Sequence, residues 1–405
     1  MKSKRSKRAG KTISTHQIFS FKTNESLAGL YIHIPFCKKA CHYCDFHFTQ
    51  SVKQIDDMVK AICTELEIQK DFLGNDPVRT IYFGGGTPSL LEESHLKKIM
   101  KVISYGYKIS SNPEVTFEAN PDDLSKEKLN MIHGQGINRL SIGVQTFNDQ
   151  MLQWMNRQHS AEEAENCFYQ AREAGFENIS MDLIYALPAD DHKLWYADLK
   201  KMVMLNPEHI SAYCLTIEPK TAFGNWLRKE IIQPIDDDHA AEQFEILVET
   251  LTNYKYEQYE ISNFAQMGYE SQHNSGYWRD EKYLGIGPSA HSYNGKFRKA
   301  NVANNAKYLK GLEDKKVPFE VITLSKEDQV NEYILTSLRT KWGCDLNLLR
   351  NKYGIDLMQV HGPYLEKLAY QSFLNEEDGF LILSQAGKLL ADKIASELFV
   401  YTDEE

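Results

Sequence analysis

YIHIPFCKKACHYCDF, residues 31–46, joins an alternating apolar run to a loop with three cysteines in eight positions, Cys37, Cys41 and Cys44. An alternating run of this length predicts a β-strand, and a dense thiol cluster directly after it predicts a metal-binding loop at the strand's carboxyl end. Two chemistries suit Cys-x3-Cys-x2-Cys. A structural zinc would need a fourth ligand nearby, for which His42 or His47 could serve. A cubane [4Fe-4S] cluster would take the three thiolates and leave its fourth iron open to a small molecule.

The architecture follows from what surrounds this stretch. From about residue 29 to 218, short β-branched or aromatic runs alternate with longer amphipathic segments: GLYIHIP, RTIYFGG, EVTFEAN, INRLSIGVQ, NISMDLIYALP and HISAYCLTI. Six strands alternating with helices predict a parallel sheet whose right-handed crossovers curl it into a full or partial barrel. In such a barrel the reactive loops gather at the carboxyl strand ends. Residues a core would not tolerate fall at those ends: the cysteine loop, Gly84–Thr87, Glu118–Asn120 and Gln145–Thr146, with Asp182 on the fifth strand. Ser160 with Glu163 forms a capping-box signature, and Gly175 stands where that helix should stop. Residues 236–253 predict a further helix and YKYEQYEIS a further strand. Beyond about residue 325, a helical segment, a hairpin around Asp378-Gly379 and a closing helix from Ser384 predict a winged-helix-like α+β module. The expected divisions are a basic, disordered extension (1–28), an α/β core (29–235), a barrel extension (236–325) and the C-terminal module (326–405).

Composition sets outer limits. The 405 residues are 42 % hydrophobic and 25 % charged, enough for a large core. No apolar run approaches the roughly 20 residues of a membrane span, so a cytoplasmic location is expected. Net charge is −10 and the only dense basic run is the N-terminal tail, which argues against nucleic acid as a partner. The other four cysteines, Cys63, Cys167, Cys214 and Cys344, are scattered and read as small hydrophobes.

The stretches YIHIPFCKKACHYCDF, YFGGGTPSLL, FEANPDDL, RLSIGVQTF, NRQHSAEEA, DLIYALP, QHNSGYW and YLGIGPSAHSY together resemble the radical S-adenosylmethionine (SAM) superfamily. Within it they are similar to the oxygen-independent coproporphyrinogen III oxidase-like family, and most to its HemW-type heme chaperone branch. The resemblance implies a partial (β/α)6 barrel with a [4Fe-4S] cluster on Cys37, Cys41 and Cys44, and SAM chelating the open iron. It implies SAM contacts from Tyr31, from the backbone of Gly85, Gly86 and Thr87, from Glu118 to the ammonium, from Arg157 to the carboxylate, and from Gln145 and Asp182 to the ribose. It also implies that one electron into the cluster cleaves SAM to a 5′-deoxyadenosyl radical. Without the resemblance, Tyr31 would read as an ordinary core tyrosine and Arg157 as a solvated helix charge.

Two departures from the oxidase pattern favour the chaperone branch. Phe46 stands where the resemblance places a fourth cysteine, and the segment before Cys37 is short. QHNSGYW fits the His-Asn-x-x-Tyr-Trp motif of the heme-binding branch, so heme is an expected ligand, with His273 as its candidate axial residue and His291 in reserve. The expected function is heme delivery to an acceptor, a respiratory-chain protein being one candidate. The alternative is oxidative decarboxylation of coproporphyrinogen propionates, which would make the chain an enzyme. Peripheral membrane association, and either a monomer or a dimer, are compatible with the sequence, which names no electron donor.

Overall fold

The computed structural model describes residues 27–401. The expected basic extension therefore lies outside the described residues up to residue 26. In strand β1 (Ala28–Ile34), Leu30, Ile32 and Ile34 are buried against the helix layer, while Tyr31 and His33 project to the opposite face. The same alternation recurs in β2 (Val78–Gly85), β3 (Ile109–Ala119), β4 (Arg139–Gln145), β5 (Ile179–Tyr185) and β6 (His209–Cys214). Hence one face is apolar and the other carries Tyr82, Glu118, Ser141, Asp182 and Ser211.

These six strands lie parallel in chain order. Their crossovers run through α1 (Ile55–Ile68), α2 (Glu93–Gly106), α3 (Lys126–Gly134), α4 (Asp149–Trp154), α5 (Ala161–Glu173) and α6 (Lys193–Leu205). The capping box forms as expected: Ser160 Oγ accepts from the Glu163 amide, and the Glu163 carboxylate accepts from the Ser160 amide. Gly175 adopts φ 95°, the left-handed stop that glycine supplies without strain.

After β6 come α7 (Ala222–Arg228), α8 (Asp237–Asn253), β7 (Glu257–Glu260), β8 (Asn263–Ala265), α9 (Gln272–Trp278), β9 (Lys282–Ile286), β10 (His291–Tyr293), β11 (Arg298–Asn301), α10 (Asn305–Glu313) and β12 (Phe319–Ile322). All of these strands join the barrel sheet, whose order is β12-β11-β10-β9-β1-β2-β3-β4-β5-β6-β8-β7. β9 adds parallel to β1, while β10–β12 and β7–β8 are antiparallel edges. β12 and β7 stand at opposite edges of the twelve strands, so the barrel is a partial one. The segment 236–325 thus extends the same sheet.

A second hydrophobic core gathers Val330, Ile334, Leu338 and Leu346 with Leu381 and Ile394. It is built from α11 (Lys326–Leu338), β13 (Cys344–Asp345), α12 (Leu346–Leu348), α13 (Leu357–Tyr370), β14 (Leu374–Glu377), β15 (Phe380–Leu383), α14 (Gln385–Lys388) and α15 (Ala391–Glu397). The strands pair antiparallel in the order β13-β15-β14, the winged-helix-like arrangement expected. Asp378 and Gly379 have φ 52° and 86°, the two left-handed residues of a tight hairpin turn. The single closing helix expected from Ser384 is instead two, broken at Leu389-Leu390. A Cβ at Gly387 would lie 2.0 Å from the Phe373 carbonyl oxygen, so the first of these helices is pressed against the backbone that leads into β14. Among the described residues, no helix is long and apolar enough to cross a membrane.

Candidate functional site

The cysteine loop leaves the carboxyl end of β1 and is fastened on both sides. Cys37 donates its amide to the Thr49 carbonyl at 3.0 Å, and Thr49 donates back to Pro35 at 2.9 Å. Asn156 Nδ2 donates to the Ala40 carbonyl at 2.7 Å, His42 Nδ1 meets the Trp154 carbonyl at 2.7 Å, and the Phe223 amide donates to His42 O at 2.9 Å. The loop therefore hangs between the segment after β4 and α7. Side chains reach the sulfurs: Thr87 Oγ1 donates to Cys37 Sγ and Arg157 NH1 to Cys41 Sγ, each at 3.4 Å, and the Tyr43 hydroxyl also bonds Cys41. Burial pushes the Cys37 thiol up to about 11 and the Cys44 thiol up to about 12, so metal binding at these sulfurs would release protons.

The zinc alternative turns on whether the ligands converge, since the bonds of His42 and His47 each engage only one ring nitrogen. His42 is held by Trp154 and packs edge-on against Trp226, and His47 Nε2 is 2.8 Å from Asn305 Oδ1. Among the described residues, the one set of three His, Cys or carboxylate side chains whose ligand atoms all lie within 4.8 Å of one another is His192, His239 and Glu242. A zinc ion with bonds of about 2.3 Å to sulfur would draw its ligands closer than that. A cubane instead spreads three thiolates over three irons, which suits a loop whose thiols do not converge on one point.

Beside the loop, the polar face of β2–β6 gathers buried charged side chains. Glu118 accepts from the Tyr82 hydroxyl at 2.7 Å and the Gly85 amide at 3.2 Å, and burial raises its pKa to about 7. Burial also raises Asp182 to about 6 against the pull of the Ser211 and Ser141 hydroxyls, and its Oδ1 has no hydrogen-bond partner. Arg157 is no solvated helix charge. Its NH2 donates to Asn120 Oδ1 and the Gly143 carbonyl, both at 2.7 Å, and its buried Nε has no partner. Burial disfavours its charge, but Tyr43 and Cys41 outweigh that and hold its pKa above the usual guanidinium value. Gln145 takes a left-handed φ of 71°, and a Cβ at Gly143 would lie 2.8 Å from Gln145 Nε2. A residue held in the left-handed region is the kind of local cost found at ligand sites.

The glycine run differs from expectation in one respect. The Gly85 amide is given to Glu118 and the Gly86 amide to the Ile34 carbonyl at 2.8 Å, so these donors already serve the protein. What the glycines supply is room: a Cβ at Gly86 would lie 2.6 Å from the Phe36 carbonyl oxygen. Thr87 acts through its side chain, on Cys37 and as acceptor for Asn120 Nδ2 at 3.4 Å. Asn120 and Asn156 also bond into this site, on Arg157 and Thr87 and on the Ala40 carbonyl, although sequence reasoning assigned them no role. Asn120 stands at the polar end of β3 and Asn156 opens the stretch NRQHSAEEA, so both fall in segments the sequence singles out, but neither position alone reveals its hydrogen-bond partner.

Tyr31 stacks on Tyr82 with centroids 6.0 Å apart, and its hydroxyl is 3.3 Å from His33 Nδ1. Burial holds its pKa well above the usual phenol value. His273, the candidate heme ligand, is only 4 % exposed. Its Nδ1 is 2.7 Å from Thr80 Oγ1 and its Nε2 is 2.8 Å from the Tyr277 hydroxyl, so both nitrogens are engaged. Burial, reinforced by Arg139 and Arg79, lowers its pKa to about 3 and keeps it neutral. His291, the reserve candidate, lines a cavity of about 520 Å³ together with Tyr31, Phe46, His47, Tyr277 and Trp278.

Comparison with known proteins identifies the family and the fold. Residues 31–197 match the radical SAM superfamily and residues 324–390 the HemN C-terminal domain. The heme chaperone HemW of Bacillus subtilis (strain 168) is 39 % identical over 368 residues, covering 90 % of this chain and 97 % of that relative. HemW of Lactococcus lactis subsp. lactis is 34 % identical over 369 residues, covering 90 % and 95 %. Among solved structures, coproporphyrinogen III oxidase (HemN) from Escherichia coli, a radical SAM enzyme, superimposes with a TM-score of 0.80 over 93 % of this chain and 91 % of that one. At 22 % identity that last likeness is one of fold.

Proposed function

The chain belongs to the HemW family within the radical SAM superfamily, and on that premise we propose that it is a heme chaperone: it carries a [4Fe-4S] cluster on Cys37, Cys41 and Cys44, binds SAM beside it, takes up heme and hands it to an acceptor protein. The observation that carries the reading is the fastened three-thiol loop at the end of β1, with Arg157 and Thr87 aimed at its sulfurs. In this reading Glu118 accepts from the SAM ammonium and Asp182, whose Oδ1 lacks a partner, accepts from the ribose with Gln145 beside it. Arg157 pairs with the carboxylate, and Tyr31 and the bare backbone of Gly85, Gly86 and Thr87 shape the methionine end. When bound, the cluster and SAM would supply one-electron cleavage chemistry. The protein's own part is to hold the ligand and shield the loop.

Phe46 supports delivery over decarboxylation. It occupies the position of the oxidase-type fourth cysteine, is 68 % exposed, and borders the cavity that His291 lines. We further propose a cytoplasmic setting, with the acceptor, the electron donor and the oligomeric state to be found by experiment.

Anaerobic reconstitution tests the cluster: about four irons per chain are expected, falling to background in Cys41→Ala because two thiolates do not hold a cubane. Hemin titration of the same protein should produce a saturable Soret band. Zinc at one per chain with no iron uptake, or conversion of coproporphyrinogen III to protoporphyrinogen in the presence of SAM and reductant without heme binding, would replace this reading.

A further inference from the structure

We infer that heme sits in the cavity between β1, the cysteine loop, β9–β11 and α11, with His291 as its iron ligand and His273 as a positioning residue that acts through Tyr277. The inference rests on the proposed heme chaperone function and assigns its ligand site.

The cavity suits the ligand in size and lining. About 520 Å³ falls within the range of roughly 300–1,000 Å³ typical of small-molecule sites. Phe46, Tyr277, Trp278, Tyr283 and Tyr293 contribute to its wall, and flat aromatic surfaces suit the faces of a tetrapyrrole. The ring packing gives the wall a fixed shape: Tyr277 meets Tyr283 edge to face with centroids 4.6 Å apart. Arg298 provides a cation for carboxylate edges. It donates to Tyr283 Oη at 3.1 Å and to Glu332 at 2.7 Å, and its buried Nε–H has no partner. The two acidic residues on the wall are already paired, Glu281 with Arg79 at 2.7 Å and Asp280 with Lys352 at 3.0 Å.

Three imidazoles border this space, and their hydrogen bonds separate them. His33 bonds to Tyr31 Oη through Nδ1 and to the His47 carbonyl through Nε2, and His47 Nε2 is held by Asn305. His291 is exposed at the start of β10, and among the described residues neither of its nitrogens has a hydrogen-bond partner. Ligation would then need only the donation of a free lone pair to the ferric ion in place of water. His273 stands differently. It lies behind the wall, stacked on Tyr82 with centroids 4.9 Å apart, and its Nε2 fixes the hydroxyl of Tyr277, which faces the cavity. To reach iron it would have to give up Tyr277 and leave its place between Thr80 and Tyr82.

Hemin titration of the full chain distinguishes the two roles. His291→Ala should lower hemin affinity by on the order of tenfold or more, shift the Soret band and the spin state read by electron paramagnetic resonance, and recover the wild-type spectrum on addition of free imidazole. His291→Gln, which keeps bulk and polarity, should show the same spectral loss. His273→Ala and Tyr277→Phe should each weaken binding while leaving the saturated spectrum that of wild type, with no rescue by imidazole. The inference is overturned if His291→Ala and His291→Gln leave band, spin state and affinity unchanged, or if His273→Ala shifts the band and imidazole restores it. A wild-type protein that shows no saturable heme binding would remove the chaperone reading itself, an outcome distinct from either of these.

Discussion

Glu118 shows how far one residue can report on the site. Burial raises its pKa to about 7, although the Tyr82 hydroxyl and the Gly85 amide both favour its ionised form, and the nearby Asp182 adds to the rise. The unfolded chain ionises this carboxyl near 4.5, the fold only near 7. Its contribution to folding is therefore full below about pH 4.5 and fades as pH rises to about 7. A bound ammonium works in the opposite sense, since it needs the carboxylate. SAM affinity should thus fall as pH drops below about 7, and more steeply below about 6, where Asp182 also takes up a proton. Glu118→Gln should remove the upper part of this dependence and weaken binding by roughly 1.5–3 kcal/mol, the usual worth of a hydrogen bond to a charged group. Isothermal titration from pH 5.5 to 8.5 checks it, and a flat profile in the wild type would take Glu118 out of the SAM pocket.

The strand ends are the elements on which the site depends, and they were legible because each broke the pattern of its own strand. Glu118, Gln145 and Asp182 are polar where a parallel strand should be apolar, and Gly84–Gly86 interrupts a run of large residues. The later strands carried no such contrast. β8 and β10 are three residues long, β12 is exposed at all four of its positions, and β9 finds its parallel partner in β1, about 250 residues earlier in the chain. Motif reading likewise picked out His273 but could not show that Thr80 and Tyr277 occupy both of its nitrogens, because those bonds depend on how α9 packs against β1 and β2. The end of β2 also braces the cysteine loop. A Cβ at Gly86 would stand 2.6 Å from the Phe36 carbonyl oxygen and 2.8 Å from that of Ile34, both of them backbone atoms. Gly86→Ala should therefore displace the loop, destabilise the protein by about 1–3 kcal/mol and cut iron incorporation. Urea melts and iron analysis measure the two effects, and a variant with wild-type values of both would show that the loop is not held from β2.

At the scale of the whole molecule, the large barrel core and the C-terminal core meet at the β7 edge of the main sheet, where Glu260 bridges to Thr340. We propose that residues 326–405 act as one unit that closes the open side of the barrel, while 236–325 extends the 29–235 core, as one continuous sheet suggests. The joint is polar. Arg339 Nε donates to Glu260 Oε1 at 3.1 Å, its NH1 to Asp392 at 2.6 Å, and its carbonyl accepts from the Ile261 amide at 3.1 Å. Glu260, on the edge strand β7, is 3 % exposed and takes its remaining hydrogen bonds from the Ser262 amide and Asn263. Arg339→Ala would leave that buried carboxylate without its cation. Breaking a fully buried pair typically costs about 3–5 kcal/mol; with Arg339 partly solvated, the expected loss is about 2 kcal/mol. The joint also bears on heme, since α11, which Arg339 caps, brings Thr336 to the cavity wall. The variant should therefore release heme faster in a stopped-flow transfer to apomyoglobin, while its iron content stays at the wild-type level because the cysteine loop hangs from the other core. Unchanged heme release alongside the expected loss of stability would mean that the C-terminal unit only buttresses the barrel and takes no part in holding the cargo.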